Sequence, residues 1–142
     1  MPTHSRGEFY ALVENRIYQR GQVLTWARER KYKRFKEMNI KGVVNLWGKM
    51  DPDMGEIGLD FYLHLPSDSS EESMRGENFQ LAVESAASYL DHNRNSAVLI
   101  LCEAGVTRSV FFAISLKALL LGITYQQAKL EFGRRTKLKE FM

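Results

Sequence analysis

The sequence predicts an α/β domain with a central, mostly parallel sheet flanked by helices, and three observations carry that prediction. Strand-like and helical runs alternate along the chain. Residues 97–101, Ala-Val-Leu-Ile-Leu, form a continuous apolar run of the kind buried on both faces of a central strand. A second apolar run, from Val110 to Leu121, reads as a largely buried helix stopped by Gly122.

Taken in order, residues 1–15 are assigned no element. Strand-like runs fall at 16–20, 42–47, 59–65 and 97–101, and helical patterns at about 25–38, 75–92, 108–121 and 124–134. Within 77–92, Phe79, Val83, Ala86, Ala87 and Leu90 share a face while Glu84 and Asp91 point elsewhere, the pattern of an amphipathic helix on a sheet. Thr124 through Gln127 resembles a capping box. Residues 48–58, rich in Gly, Asp and Met, join two strands as a loop, and Pro66 with Ser67-Asp68-Ser69-Ser70 marks another. Ligands of open α/β sheets gather at the carboxyl ends of strands, so this second loop is expected to face the one that follows residue 101.

A chain of 142 residues suffices for one domain with its own core, so residues 1–142 are read as a single unit. One cysteine excludes an intramolecular disulfide and suits a reducing compartment. His4, His64 and His92 lack ligand spacing, so neither zinc nor any other cofactor is expected. The amino terminus has no apolar signal core and the longest apolar stretch is interrupted by Lys117, so the expectation is a soluble cytoplasmic protein without a transmembrane segment. Net charge is +3, with basic clusters at 28–36 and 134–139. Solvated helix faces are the simpler reading of these clusters; a surface for nucleic acid or acidic lipid is the alternative.

The richest stretch is Cys102-Glu103-Ala104-Gly105-Val106-Thr107-Arg108-Ser109, a Cys-x5-Arg-Ser loop between the apolar strand and the apolar helix. Backbone N–H groups and the positive end of a helix dipole converge in such a loop and make an anion site. Arg108 adds a planar fork able to hold two phosphate oxygens. A thiol in that field ionises more readily than a free one. Gly105 lets the loop curl with its amides inward. The Ser109 hydroxyl can donate to the Cys102 sulfur when it becomes a leaving group. A lone cysteine in a strand is most often a small core residue. Here Gly, Arg and Ser would all have to fall by accident at the third, sixth and seventh positions after it, a coincidence on the order of a few in ten thousand.

A thiolate inside a phosphate cradle implies attack on phosphorus, with a phosphocysteine intermediate and release of an alcohol or phenol. The leaving oxygen needs a proton, so a general acid must stand opposite the sulfur. Asp68, beyond a strand end among small polar residues, is the candidate; Glu71 and Glu72 are fallbacks on the same loop. Asp51, Asp53 and Asp60 lie on or before the preceding strand.

The signature residues Cys102, Ala104, Gly105, Arg108 and Ser109 resemble those of the cysteine-dependent protein tyrosine phosphatase superfamily, in its compact dual-specificity branch. Val43-Val44-Asn45-Leu46 resembles that branch's strand whose asparagine supports the phosphate loop, and Leu63 to Asp68 resembles its approach to the acid loop. The resemblance spans about residues 16–132. It implies a single-domain phosphatase fold, Cys102 as nucleophile, Arg108 as clamp, Ser109 as helper in the second step, and residues 103–107 (Glu103, Ala104, Gly105, Val106, Thr107) as the phosphate cradle. The implied partner is a phosphorylated protein carrying phosphotyrosine or phosphoserine/threonine.

One departure stands out: Leu101 occupies the position where the family usually has histidine. That leaves a phosphate-binding module with weak turnover as an alternative. Phosphoinositide and RNA 5′-phosphatases of the same superfamily are further alternatives, the lipid class weakened by Glu103 where lysines would be expected.

Overall fold

The computed structural model describes residues 9–66, 76–103, 108–132 and 136–137. Six strands, β1 (Tyr10–Val13), β2 (Ile17–Gly21), β3 (Ile40–Asn45), β4 (Phe61–His64), β5 (Ala97–Cys102) and β6 (Thr136–Lys137), form one sheet in the order β4-β3-β5-β2-β1-β6. The four strands β4, β3, β5 and β2 run parallel, as expected. Four helices complete the chain: α1 (Arg28–Glu37), α2 (Glu77–His92), α3 (Arg108–Leu121) and α4 (Tyr125–Phe132).

The antiparallel edge is the main departure from expectation. Part of the segment left without an element, Tyr10–Val13, pairs with β2 and then with β6. A tight turn makes the hairpin: the Arg16 N–H donates to Val13 O at 2.9 Å, and Asn15 adopts φ 65°, which asparagine tolerates better than most side chains. Tyr-Ala-Leu-Val is apolar or aromatic throughout and four residues long, too short a run to show a strand period.

β5 lies in the middle of the sheet and all six of its residues are buried. Its period-two alternation divides two apolar clusters. Val98, Ile100 and Cys102 join Phe79, Val83, Leu90, Phe112 and Leu116 under α2 and α3. Ala97, Leu99 and Leu101 join Phe9, Tyr18, Phe35, Met38 and Val43 on the opposite face, beside α1. Cys102 and Leu101 therefore point to opposite sides of the sheet. Edge strand β4 is fitted closely, since a Cβ at Gly42 would collide with the Phe61 ring across the ladder.

The helix boundaries follow the expected signals. Gly122 takes φ 68° after α3, and the Ile123 N–H returns to Ala118 O at 3.0 Å, the reverse turn that ends many helices. Thr124 Oγ1 accepts from the Gln127 N–H at 3.0 Å and opens α4. At the carboxyl end of α2, the Arg16 guanidinium donates to the carbonyls of Leu90 and Asn93, where a cation opposes the helix dipole.

The basic cluster at 28–36 is only partly a solvated face. Lys31 is fully buried, and its Nζ meets Asp51 Oδ2 at 2.7 Å and Asp53 Oδ2 at 2.8 Å. This triad fastens α1 to the 48–58 loop, which contains one short 3-10 turn, Pro52–Gly55. Among the described residues, no helix is long and apolar enough to cross a membrane.

Candidate active site

β5 delivers Cys102 at its carboxyl end, and α3 opens six residues later at Arg108. The sulfur is buried, with 2% of the residue exposed, and it faces the first turn of α3 because of the strand's alternation. Ser109, also buried, approaches it twice: Oγ lies 3.2 Å from Sγ, and the Ser109 N–H donates to Sγ at 3.4 Å. A backbone N–H from the first turn of a helix is an electropositive partner that favours a negative sulfur.

Arg108 is half-buried, and its guanidinium donates to Leu46 O at 3.3 Å. That contact ties the base of α3 to the segment leaving β3. Leu46 is itself bound to the central strand, its N–H donating to Leu101 O at 2.8 Å. Glu103 is exposed, and its carbonyl accepts from the Gln22 N–H at 3.2 Å, holding the end of β5 to the segment after β2. Ala104, Gly105, Val106 and Thr107 lie outside the described residues, as do the acid candidates Asp68, Glu71 and Glu72.

Asn45 ends β3 and organises the adjoining loop. Its Nδ2 donates to Lys49 O and to the Tyr62 hydroxyl, both at 2.8 Å, while its Oδ1 accepts from the Trp47 N–H at 2.9 Å. The Tyr62 oxygen also accepts from the Asp51 N–H at 3.1 Å. His64 Nε2 lies 2.7 Å from Trp47 O; a carbonyl can only accept, so this nitrogen carries the proton. The Lys49 ammonium sits 5.2 Å from the Trp47 ring centre. The bonds of Asn45 fix the 46–49 segment whose Leu46 carbonyl Arg108 holds.

The other carboxylates on or before β4 are engaged elsewhere. Asp51 and Asp53 hold Lys31, and Asp60 Oδ2 accepts from the Tyr89 hydroxyl at 2.5 Å. Burial first, and then the bond to Asp60, push the Tyr89 hydroxyl above its ordinary value.

Gln19 is a residue that sequence reasoning passed over. It is fully buried on β2, in register with Ile100, and its Nε2 donates to Ser109 Oγ at 2.9 Å. The available signal was a polar residue inside a strand whose neighbours Ile17 and Tyr18 are apolar or aromatic.

No protein-family model matches the sequence, and no curated protein matches it. Solved structures do. The PTP-2 phosphatase of Cydia pomonella superimposes with a TM-score of 0.67 at 21% identity, covering 87% of this chain and 76% of that one. PTPMT1 in complex with PI(5)P gives 0.68 at 13% identity, covering 89% and 82%. Human DUSP28 gives 0.62 at 14% identity, covering 90% and 78%. With a buried cysteine at the end of the central parallel strand and an arginine opening the next helix, the chain has the fold of the compact cysteine-dependent protein tyrosine phosphatases.

Proposed function

We propose that the protein is a phosphoprotein phosphatase of the dual-specificity kind, hydrolysing phosphotyrosine and phosphoserine/threonine monoesters. The observation that carries this reading is the double contact of Ser109 on the Cys102 sulfur at the amino end of α3. A cysteine serving only as core filler has no need of one serine meeting its sulfur with both its N–H and its hydroxyl.

In the reaction proposed, the Cys102 thiolate attacks phosphorus, an S–P bond forms and the P–O bond to the leaving group breaks. Arg108 and the amides of residues 103–107 hold the non-bridging oxygens and spread their charge. Asp68 gives its proton to the leaving oxygen. Its carboxylate then takes a proton from water, which attacks phosphorus as the S–P bond breaks. Inorganic phosphate leaves, and Ser109 donates to the sulfur as its negative charge returns. Asn45 acts from behind the site by holding the 46–49 segment to which Arg108 is tied.

A second reading, phosphoinositide hydrolysis, draws on the fold shared with PTPMT1, which was solved with PI(5)P bound. Turnover of tyrosine- and serine-phosphorylated peptides is measured against that of phosphoinositide vesicles and triphosphate-ended RNA, with Cys102→Ser as the blank. Preference for the peptides supports the first reading, and preference for vesicles replaces it with the second. Asp68→Ala should slow poor leaving groups while sparing p-nitrophenyl phosphate. Wild-type rates on phosphotyrosine in that variant would move the acid elsewhere.

A further inference from the structure

We propose that Gln19 is a positioning residue that fixes the polarity of the Ser109 hydroxyl, aiming its proton at the Cys102 sulfur. The inference deepens the proposed reaction and rests on it for its catalytic consequence, but the arrangement of hydrogen bonds stands on geometry alone.

Gln19 is fully buried on β2, on the sheet face that carries Ile100 and Cys102. A primary amide nitrogen only donates, so at the 2.9 Å contact with Nε2 the serine oxygen is the acceptor. A hydroxyl has one proton. With Gln19 on its lone pair, that proton cannot be spent on Gln19 and has the sulfur at 3.2 Å as a partner. While Cys102 is a thiol, its own S–H fills the contact with Oγ. Once that proton is lost, only the hydroxyl proton can fill it, which is the polarity a thiolate needs. The Ser109 N–H at 3.4 Å adds a second donor. Three groups thus form a directed line from Gln19 through Ser109 to Cys102. Buried networks of this kind reinforce along the line and are costly to reverse.

Position matters as much as chemistry. Leu101, where the family has histidine, points to the opposite face of the sheet and gives the sulfur no donor from its side chain. Gln19 reaches the sulfur's environment from the neighbouring strand on the correct face.

The test is the pH dependence of Cys102 alkylation by iodoacetamide, which needs no turnover and so separates failure of this inference from failure of the phosphatase reading. Gln19→Met keeps the volume and removes the donor. Gln19→Glu keeps the shape and replaces the donor with an acceptor. The charged groups flanking the sulfur, Glu103 after β5 and Arg108 on α3, are the same in every variant. Gln19→Met should raise the alkylation midpoint by about one pH unit, a roughly tenfold loss of thiolate at limiting pH, and Gln19→Glu should raise it further. Ser109→Ala should give a rise similar to Gln19→Met, and the Gln19→Met/Ser109→Ala double variant no more than Ser109→Ala alone. A restored midpoint in Gln19→His, whose ring can again donate, would add support. An unmoved midpoint in either Gln19 variant, or a Gln19→Met effect that persists in full on the Ser109→Ala background, overturns the proposal. If Gln19→Met does not fold, the equally uncharged Gln19→Leu and its combination with Ser109→Ala decide by the same two criteria.

Discussion

Ser109 holds the Cys102 sulfur from two directions, with its hydroxyl at 3.2 Å and its backbone N–H at 3.4 Å. Removing the side chain leaves the N–H donor in place. In the reaction proposed above, Ser109→Ala is therefore expected to slow release of phosphate, the step in which the sulfur departs as an anion, by about ten- to a hundredfold. Above the alkylation midpoint of both proteins, formation of the intermediate should change less, so a burst of p-nitrophenol should precede a slow steady state. Equal loss in both phases would place the hydroxyl's role elsewhere.

Lys31 and Asp51 form a buried pair, in contrast to the exposed pair that Arg28 of the same helix makes with Glu56 of the 48–58 loop. Lys31→Met strands Asp51 without its counter-charge and should cost about 3–5 kcal/mol in urea unfolding. Arg28→Ala should cost no more than about 1 kcal/mol. Similar losses for the two variants would mean that water reaches the Lys31 triad.

Leu101 packs into the apolar cluster beside α1, away from the sulfur. Placing histidine there buries a polar ring between Arg20 and Asn45 of the flanking strands, against a cavity lined by Val23 and Met54, and Leu101→His is expected to destabilise the fold by about 1–3 kcal/mol. A gain in stability would show that the ring finds hydrogen-bond partners there, and that leucine is not required by this core.

Tyr89 supplies a pH signature. Burial and the Asp60 acceptor raise its folded value, so the folded state holds the phenol proton more tightly than the unfolded chain does. The resulting stability is fully present below the unfolded value of about 10 and is lost as pH rises through the folded one. Urea midpoints measured between about pH 9 and pH 11 should fall, and Tyr89→Phe should make the fall shallower. Tyr18 and Tyr125, both also raised by burial, account for a remaining slope. An identical slope in the variant would contradict this assignment.

Much of the fold could be read in advance because its signals are local. The apolar run of β5, Gly122 ending α3 and Thr124 capping α4 each depend on neighbours in sequence. The antiparallel edge escaped notice because β1 is four residues long and β6 two, too short for a period to declare itself. At the site, Cys102, Arg108 and Ser109 were legible from their spacing. Gln19 was not, because its partner Ser109 lies 90 positions away and only the parallel register of β2 with β5 unites them. Lys31 was hidden for the same reason: within a run of cations its burial depends on Asp51 and Asp53, which the 48–58 loop brings back against α1.

The central claim is that Cys102 is a nucleophile toward phosphorus, and hydrolysis of p-nitrophenyl phosphate by wild type and Cys102→Ser tests it most directly. The account predicts steady turnover by the wild-type protein and none above background in the variant, with both folded to the same extent. Equal rates in the two proteins, or no turnover by wild type, would contradict it.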